Sequence, residues 1–137
     1  MRVGHRMKQG VVTVKPTDSF RYAMDLIRSR GIRHLPVVEG QQVVGIVTDR
    51  DLRQAAASPA TSLSIHELHY LLDKIRVADI MTKAVITISP DDTVEDAARL
   101  LLKHRIGGLP VVRQGKLVGI LTETSWGSPK PAAAWSW

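Results

Sequence analysis

The chain has 137 residues, 44% of them hydrophobic, which suits one compact protein and is too short for a large multidomain enzyme. It has no cysteine, which excludes disulfides, thiolate nucleophiles and cysteine-based zinc or iron–sulfur sites. The first residues are polar and basic, and no apolar run approaches the roughly 18 residues of a membrane span. We therefore expect a soluble cytoplasmic protein with no membrane partner.

The formal net charge of +6 is concentrated in the first part of the chain. Of the 19 Lys and Arg residues ten precede residue 58, whereas only five of the 13 Asp and Glu residues do. Such a surface either serves solubility alone or attracts a phosphate-bearing partner. Binding to nucleic acid is the weaker alternative, because the charges are scattered and only 4% of residues are aromatic, which leaves few platforms for base stacking.

The first part of the chain predicts a short β-α-β-β-α unit. Val11–Val14 is a β-branched run ended by Pro16, which is typical of a strand leading to a turn. Polar residues then offer capping oxygens to a helix with one apolar face. That face consists of Phe20, Ala23, Met24 and Ile27. Strands over 35–38 and 43–48, followed by a helix over 49–57, complete the unit.

A loop over 58–62 leads to a third predicted helix. Ser64 and Glu67 have the spacing of a capping box, and the helix extends to about Ile75. Its predicted buried stripe is Ile65, Leu68, Leu72 and Ile75. His66 and His69 lie three residues apart, but no third ligand has a matching position, so we assign them to the helix surface and expect no metal.

The chain contains an internal repeat. Residues 35–38, Leu-Pro-Val-Val, recur at 109–112, and one constant offset aligns 11–48 with 85–122 without a gap. Matched pairs include Thr13/Thr87, Pro16/Pro90, Asp18/Asp92, Ala23/Ala97, Leu26/Leu100, Ile32/Ile106, Val44/Val118, Gly45/Gly119 and Ile46/Ile120. The second copy therefore predicts the same elements in the same order.

The repeat predicts an α/β fold with two β-α-β-β-α copies. We expect repeat 1 over 1–62, a linker helix over 63–76, repeat 2 over 77–126 and a tail rich in Pro, Ala and Trp over 127–137. Two prolines and a glycine after Ser125 leave the last helix of repeat 2 short or absent. Because one copy cannot easily enclose a core, we expect the copies to pack through their sheets about a pseudo-twofold axis, with a ligand cleft between them.

Several motifs, in order and twice, resemble the cystathionine β-synthase (CBS) domain family, whose paired arrangement is often called a Bateman module. They are the Met81-Thr82 start, Leu-Pro-Val-Val, and the Gly-Ile-Val-Thr-Asp-Arg-Asp run over 45–51. The linker over 63–75 also looks like that of two-domain acetoin utilization proteins. The resemblance implies a dimer that binds AMP, ADP, ATP or S-adenosylmethionine and acts as a sensor.

The first signature also has chemistry that suits a nucleotide. Thr48 ends a strand and Asp51 lies one turn into the next helix, so a hydroxyl, a carboxylate and free amides can converge. Amides and a hydroxyl suit a phosphate, and a carboxylate suits a ribose diol. The alternative is that Thr48 and Asp51 are only an N-capping pair. Gly45, inside an apolar strand, indicates close approach by a ligand or another backbone.

The resemblance implies further ligand contacts on both copies. Arg33 and His34 match positions that contact phosphates, with Arg50 beside the ribose. The alternative for Arg33 and His34 is an exposed strand end. The adenine wall is expected to come from the second copy. Its residues are Met81, Thr82, Lys83, Val85, Ile106 and Gly107.

The second signature departs from the first. Ser125 stands where the first copy has Asp51, and Gly107-Gly108 stands where it has Arg33-His34. Both the diol acceptor and the cations are missing, and a serine makes fewer and weaker hydrogen bonds than a carboxylate. We therefore expect one competent site per chain. The second site, with Ile32, Thr122 and Ser125, should be weak or vacant.

None of the familiar catalytic motifs is present, including the nucleophile elbow, Walker loop, HExxH and dinucleotide glycine fingerprint. We predict a non-catalytic regulatory module that requires no cofactor and takes an adenosine nucleotide as its regulatory ligand. Its expected partners are a second copy of itself and an unidentified regulated protein. The alternatives are a ligand-free dimerising scaffold and a weak nucleic-acid binder.

Overall fold

The computed structural model describes residues 1–57 and 64–123 as a mixed α/β chain that forms two compact units. The first unit is Val12–Val85, and the second combines Met1–Val11 with the described residues from Ile86 onward. The elements are α1 Val3–Arg6, α2 Phe20–Arg30, β1 His34–Glu39, β2 Gln42–Thr48, α3 Asp49–Ala57, α4 Ile65–Lys74, α5 Val77–Ile80, α6 Val94–His104, β3 Gly108–Arg113 and β4 Lys116–Thr122. The predicted mixed α/β class is confirmed.

The first unit packs α2 against an antiparallel β1–β2 hairpin. The helix begins where the Ser19 side chain accepts a hydrogen bond from Tyr22 N, and it ends at Gly31, whose φ of 63° suits a residue without a Cβ. Phe20, Ala23 and Ile27 of its predicted apolar face are buried, and Met24 is half-buried. The core cluster is Val14, Phe20, Ala23, Ile27, Leu35, Val37, Val47, Leu52, Leu72 and Val77.

The strand predicted over 11–14 is wrong in extent, because only Val14 pairs with the hairpin. Val14 N donates to Pro36 O at 3.1 Å, and Val14 O accepts from Val38 N at 2.9 Å. The next residue on this parallel ladder that would donate is Pro16, which has no N–H. The second copy behaves alike, since only Ile88 pairs with Val111 and Pro90 follows.

The second unit repeats this arrangement with α6 and the antiparallel β3–β4 hairpin. A capping box between Thr93 and Asp96 begins α6, and Arg105, with a φ of 53°, ends it. Residues from both ends of the described chain build its core. They are Val3, Ile88, Ala97, Leu101, Leu109, Val111 and Leu121.

The two copies exchange their leading segments, which the sequence does not indicate. The segment after α5 joins the first unit, where Ile46 and Thr82 exchange backbone hydrogen bonds of 3.0 and 2.9 Å. The segment after α1 joins the second unit, where Lys8 and Ile120 exchange bonds of 2.8 and 3.0 Å. The predicted domain boundaries follow the sequence repeats, whereas each compact unit combines parts of both repeats.

In each exchanged segment, a methionine side chain packs against a glycine of a strand. A Cβ added to Gly45 would lie 2.6 Å from Met81 Sδ, and one added to Gly119 would lie 2.6 Å from Met7 Sδ. The close approach predicted for Gly45 is therefore made by Met81 and by the carbonyl of Thr82, which would lie 3.1 Å away.

The linker helix α4 begins at Ser64, whose hydroxyl accepts from Glu67 N at 3.2 Å. Leu72 is buried and Ile75 half-buried, while the side chains of Ile65 and Leu68 lie outside the described set. The predicted loop over 58–62, the last helix of repeat 2 and the tail also fall outside the described residues. Within the described ranges, every helix is too short or too polar to cross a membrane.

We predict that each exchanged segment stabilises the hairpin of the other sequence repeat. Val3 and Val77 are fully buried, so Val3→Ala and Val77→Ala should each cost about 2 kcal/mol of unfolding free energy. Hydrogen exchange should accelerate in β3–β4 for Val3→Ala and in β1–β2 for Val77→Ala. Acceleration in the hairpin of the same sequence repeat would contradict the exchange.

We also predict that Gly45→Ala destabilises the protein by about 1 to 3 kcal/mol, because the new methyl group overlaps Met81. Denaturant unfolding of Gly45→Ala, Met81→Ala and the double variant measures the coupling. Met81→Ala should recover part of the loss, with a coupling energy of about 1 kcal/mol. Strict additivity of the two effects would show that Met81 does not limit the space at Gly45.

Candidate functional site

The centre of the candidate site is the junction of β2 and α3. Thr48 N donates to Asp51 Oδ2 at 3.0 Å, and Asp51 N donates to Thr48 Oγ1 at 3.1 Å. The two side chains therefore cap the helix reciprocally, as the capping alternative predicts. Within the described chain, this leaves Asp51 Oδ1 as an acceptor and the Thr48 hydroxyl hydrogen as a donor for a ligand.

The same capping geometry occurs in the second unit with no predicted binding role. Asp96 N donates to Thr93 Oγ1 at 3.1 Å, and Thr93 N donates to Asp96 Oδ2 at 3.5 Å. The Thr-x-x-Asp pattern is therefore not by itself specific for ligand binding. The surroundings of Thr48 and Asp51 must distinguish a binding site from a helix cap.

Cationic residues adjoin the start of α3. His34 is the β1 partner of Thr48, and Asp49 N donates to Arg33 O at 3.0 Å, so the backbone of Arg33 and His34 lies beside this helix end. Contact of their side chains with a phosphate stays a prediction. Arg50, in the first turn of α3, is exposed. In the described part of the chain, neither Arg33 nor Arg50 forms a salt bridge.

An ion pair that was not predicted from the sequence involves Asp49, the first residue of α3. Asp49 Oδ2 lies 3.1 Å from Arg53 Nη2, one helical turn further along α3. The i,i+4 spacing of an acid and an arginine was the available signal. Asp49 is therefore paired within the helix, whereas Asp51 keeps its carboxylate on Thr48 N at the start of α3.

Four of the six predicted adenine-wall residues are in the first unit with Thr48. The Ile46–Thr82 bonds hold Thr82 beside β2, and Met81 covers Gly45. Val85 is half-buried, and its N–H donates to Lys83 O at 3.0 Å. Ile106 and Gly107 belong to the second unit, so their contribution to the wall stays a prediction.

The end of β4 in the second unit corresponds to the β2–α3 junction but has different side chains. Gly108 pairs with Thr122, and Glu123 N donates to Gly107 O at 3.2 Å, which repeats the backbone of the first site without its cations. Glu123 is only 6% exposed, and its alignment with Asp49 was the signal that could have identified it. Ser125 lies outside the described residues. Ile32 packs against the first unit's core.

Metal ligation receives no support from the residues described. No group of three or more His, Asp or Glu side chains in 1–57 and 64–123 could hold a metal ion. The His66 side chain is exposed on α4, and the side chain of His69 is outside the described set.

The comparison with a known relative covers most of this chain. The chain is 38% identical over 113 residues to an inosine-5'-monophosphate dehydrogenase of Korarchaeum cryptofilum. The match includes 82% of the chain but only 21% of that enzyme. The chain thus spans about a fifth of the length of this curated relative.

Three solved structures are similar over nearly the whole chain. An acetoin utilization protein, AcuB, from Vibrio cholerae has a TM-score of 0.78 and 29% identity, covering 93% of this chain and 87% of its own. The CBS domain pair of MJ0100, in complex with 5'-methylthioadenosine and S-adenosyl-L-methionine, has a TM-score of 0.78 and 28% identity, covering 93% of both chains. CBSX2, in complex with AMP, has a TM-score of 0.74 and 35% identity, covering 90% and 91%.

The family model described as "CBS domain" matches this chain twice, over residues 3–58 and 77–125. Each match begins at the short helix that packs into the other unit, α1 or α5, and includes one hairpin. The chain therefore belongs to the CBS domain family and carries two copies of the domain in tandem.

Proposed function

We propose that this chain is a non-catalytic regulatory module that binds an adenosine nucleotide at the β2–α3 junction. The observation that carries the proposal is the reciprocal Thr48–Asp51 cap beside two arginines free of salt bridges in the described chain. Each other helix cap described here lacks this combination, including the geometrically similar Thr93–Asp96 pair.

The ribose is assigned to Asp51. Its Oδ2 accepts a hydrogen bond from Thr48 N, which fixes the orientation of the carboxylate. The same bond therefore also fixes the position of Oδ1. A fixed carboxylate oxygen suits the hydroxyls of a ribose diol, because binding then costs little side-chain ordering. The Thr48 hydroxyl, which accepts from Asp51 N, can donate its hydrogen to a ligand oxygen.

The phosphates are assigned to Arg33 and Arg50. A guanidinium presents several donors in a plane that matches phosphate oxygens. The dipole at the start of α3 adds positive potential, and Asp49 in the first turn is paired with Arg53. His34 lies in the adjoining strand and is a further candidate contact.

The base is assigned to the segment held against β2 by the Ile46–Thr82 bonds. Met81 and Val85 offer apolar surface, and backbone groups near Lys83 can form hydrogen bonds with the edge of a purine. Support for an adenine comes from the similar structures, since CBSX2 was solved with AMP and MJ0100 with two adenosine-containing ligands.

Nucleotide binding to the module changes how a partner protein responds to it. A ligand that binds one conformation of the chain more tightly shifts the population toward it, and a protein that distinguishes the conformations responds. Couplings of about 1 to 3 kcal/mol are typical of such systems.

A thermal-shift panel of AMP, ADP, ATP, S-adenosylmethionine, NAD and a short RNA tests the ligand class. A ligand at a hundredfold excess over its Kd stabilises by about 2.7 kcal/mol, so an adenosine nucleotide should raise the Tm by several degrees. Response to RNA alone would favour nucleic-acid binding, and no response would favour a scaffold.

We predict that Asp51→Ala abolishes the nucleotide-induced shift, whereas Asp96→Ala preserves it. Both substitutions remove a capping carboxylate from the same geometry, so each should cost about 1 kcal/mol of stability. Only the loss at Asp51 should remove a ligand contact. Titration calorimetry of both variants checks this, and equal weakening would reduce Asp51 to a helix cap.

We predict one bound nucleotide per chain, because the second signature lacks the cations and the aspartate. Thr48→Ala should weaken binding at least about tenfold, corresponding to about 1.4 kcal/mol, while Thr122→Ala leaves affinity within about twofold. Calorimetric stoichiometry measures the number of sites. Two sites of similar affinity, or equal sensitivity to both substitutions, would contradict the single-site assignment.

A further inference from the structure

Two of the four methionines occupy equivalent positions in the two copies and make equivalent contacts. Met7 and Met81 are separated by the repeat offset, and each is the C-terminal cap residue of a short helix, α1 or α5. Met81 packs against the core of the first unit, and Met7 packs against the core of the second. Each methionine therefore attaches an exchanged segment to the core that this segment joins.

Both sulfur atoms are confined on the side that faces the strand. A Cβ at residue 45 or 119 would lie 2.6 Å from a methionine Sδ, which is well inside van der Waals contact. The sulfur thus fills the space that a side chain would take there. The carbonyls of Thr82 and Lys8 would lie 3.1 and 3.0 Å from the same two Cβ positions. An atom added to either sulfur on this side would overlap the strand.

The backbone N–H groups of each attachment already have partners. Ile46 and Thr82 exchange bonds across the first contact, and Met81 N donates to Val77 O at 2.9 Å. The second contact has the same three bonds between the equivalent residues. A thioether needs no donor, whereas a sulfoxide oxygen is a strong acceptor that these occupied N–H groups cannot satisfy. The contacts therefore suit the thioether form of methionine and disfavour the sulfoxide.

Both contacts lie at the protein surface, within reach of a small oxidant. Met7 and Met81 are half-buried, and the residues that follow them, Lys8 and Thr82, are exposed. The chain also has no cysteine, so no thiolate competes for the oxidant.

We propose that Met7 and Met81 are paired oxidation sites, and that a peroxide, by converting them to sulfoxides, releases the two exchanged segments from their strands. The sulfur lone pair attacks one peroxide oxygen, an S–O bond forms and the O–O bond breaks. The sulfur is oxidised by two electrons. The other oxygen is reduced, takes both hydrogens of hydrogen peroxide and leaves as water. A methionine sulfoxide reductase with a thiol reductant reverses the step.

Oxidation acts at the attachments rather than on the centre of either core. The new oxygen has no room on the strand side, so the side chain turns toward solvent and leaves the glycine. The sulfoxide also loses the apolar packing of the thioether. The backbone bonds between Ile46 and Thr82, and their equivalents in the second unit, then open more often. This effect does not require nucleotide binding at the β2–α3 junction, so either proposal can fail alone.

Peroxide treatment of the folded chain tests the proposal. Peptide mass spectrometry measures the fraction of each methionine that gains one oxygen, and amide hydrogen exchange measures backbone opening. Oxidation of Met7 and Met81 should accelerate exchange in β2, β4 and the two segments at least about tenfold, and should lower the Tm by several degrees. Sulfoxide reductases for both epimers should restore the original exchange rates and Tm.

Leucine variants assign the effect to the two sites. Met24→Leu removes the other half-buried methionine and serves as the background, which should respond to peroxide like the parent chain. Leucine has nearly the volume of methionine but no sulfur. Adding Met81→Leu should confine the peroxide effect to β4, and adding Met7→Leu instead should confine it to β2. The chain with all three substitutions should be insensitive, although Met1, which is 65% exposed, still oxidises.

A glutamine variant separates polarity from oxidation. Met81→Gln puts a polar side chain on the Gly45 contact and should accelerate exchange in β2 without peroxide, whereas Met1→Gln should not.

Three results would overturn the proposal. One is that Met7 and Met81 stay reduced in the folded chain while Met1 is fully oxidised. Another is that both are oxidised with no faster exchange in β2 or β4. The third is that the chain with all three leucines loses as much stability in peroxide as the parent. The first two are measured on the parent chain, so they decide the matter even if a substitution prevents folding.

Discussion

The candidate site depends on the two backbone hydrogen bonds between Ile46 and Thr82. They attach a segment of the second repeat to β2 of the first, and they set Met81 against Gly45. Without them, the residues assigned to the base would have no fixed relation to Thr48. The bonds require that β2 leaves an edge for Thr82 and that residue 45 carries no Cβ. A glycine in a strand costs stability, and here it makes room for this attachment.

The Thr48–Asp51 pair combines a structural role with a proposed binding role. Capping fixes the carboxylate and the hydroxyl before any ligand arrives, so their ordering contributes to folding rather than opposing binding. The pair at Thr93 and Asp96 shows that capping alone is a sufficient reason for the pattern. What distinguishes the Thr48–Asp51 pair is therefore the arginines and the neighbouring segment.

The two copies have diverged in charge while keeping the same backbone. In both, a carbonyl one residue before the hairpin accepts from the residue after the last strand, at Arg33 in one copy and Gly107 in the other. The first copy surrounds that junction with arginines, whereas the second has glycines and the buried Glu123. The same backbone arrangement is thus basic in one copy and not in the other.

The sequence by itself determined the repeat, the longer helices, the hairpin strands, the helix caps and the residues at the β2–α3 junction. These follow from patterns within a few residues, such as the apolar face from Phe20 to Ile27 or the cap at Ser64. Only the tertiary structure decided that each leading segment joins the other copy's hairpin and that the first strand shrinks to Val14. Both outcomes depend on contacts between residues distant in the chain, for which no local pattern exists. The same reason explains why the sequence did not identify Met81 and the Thr82 carbonyl as the neighbours of Gly45.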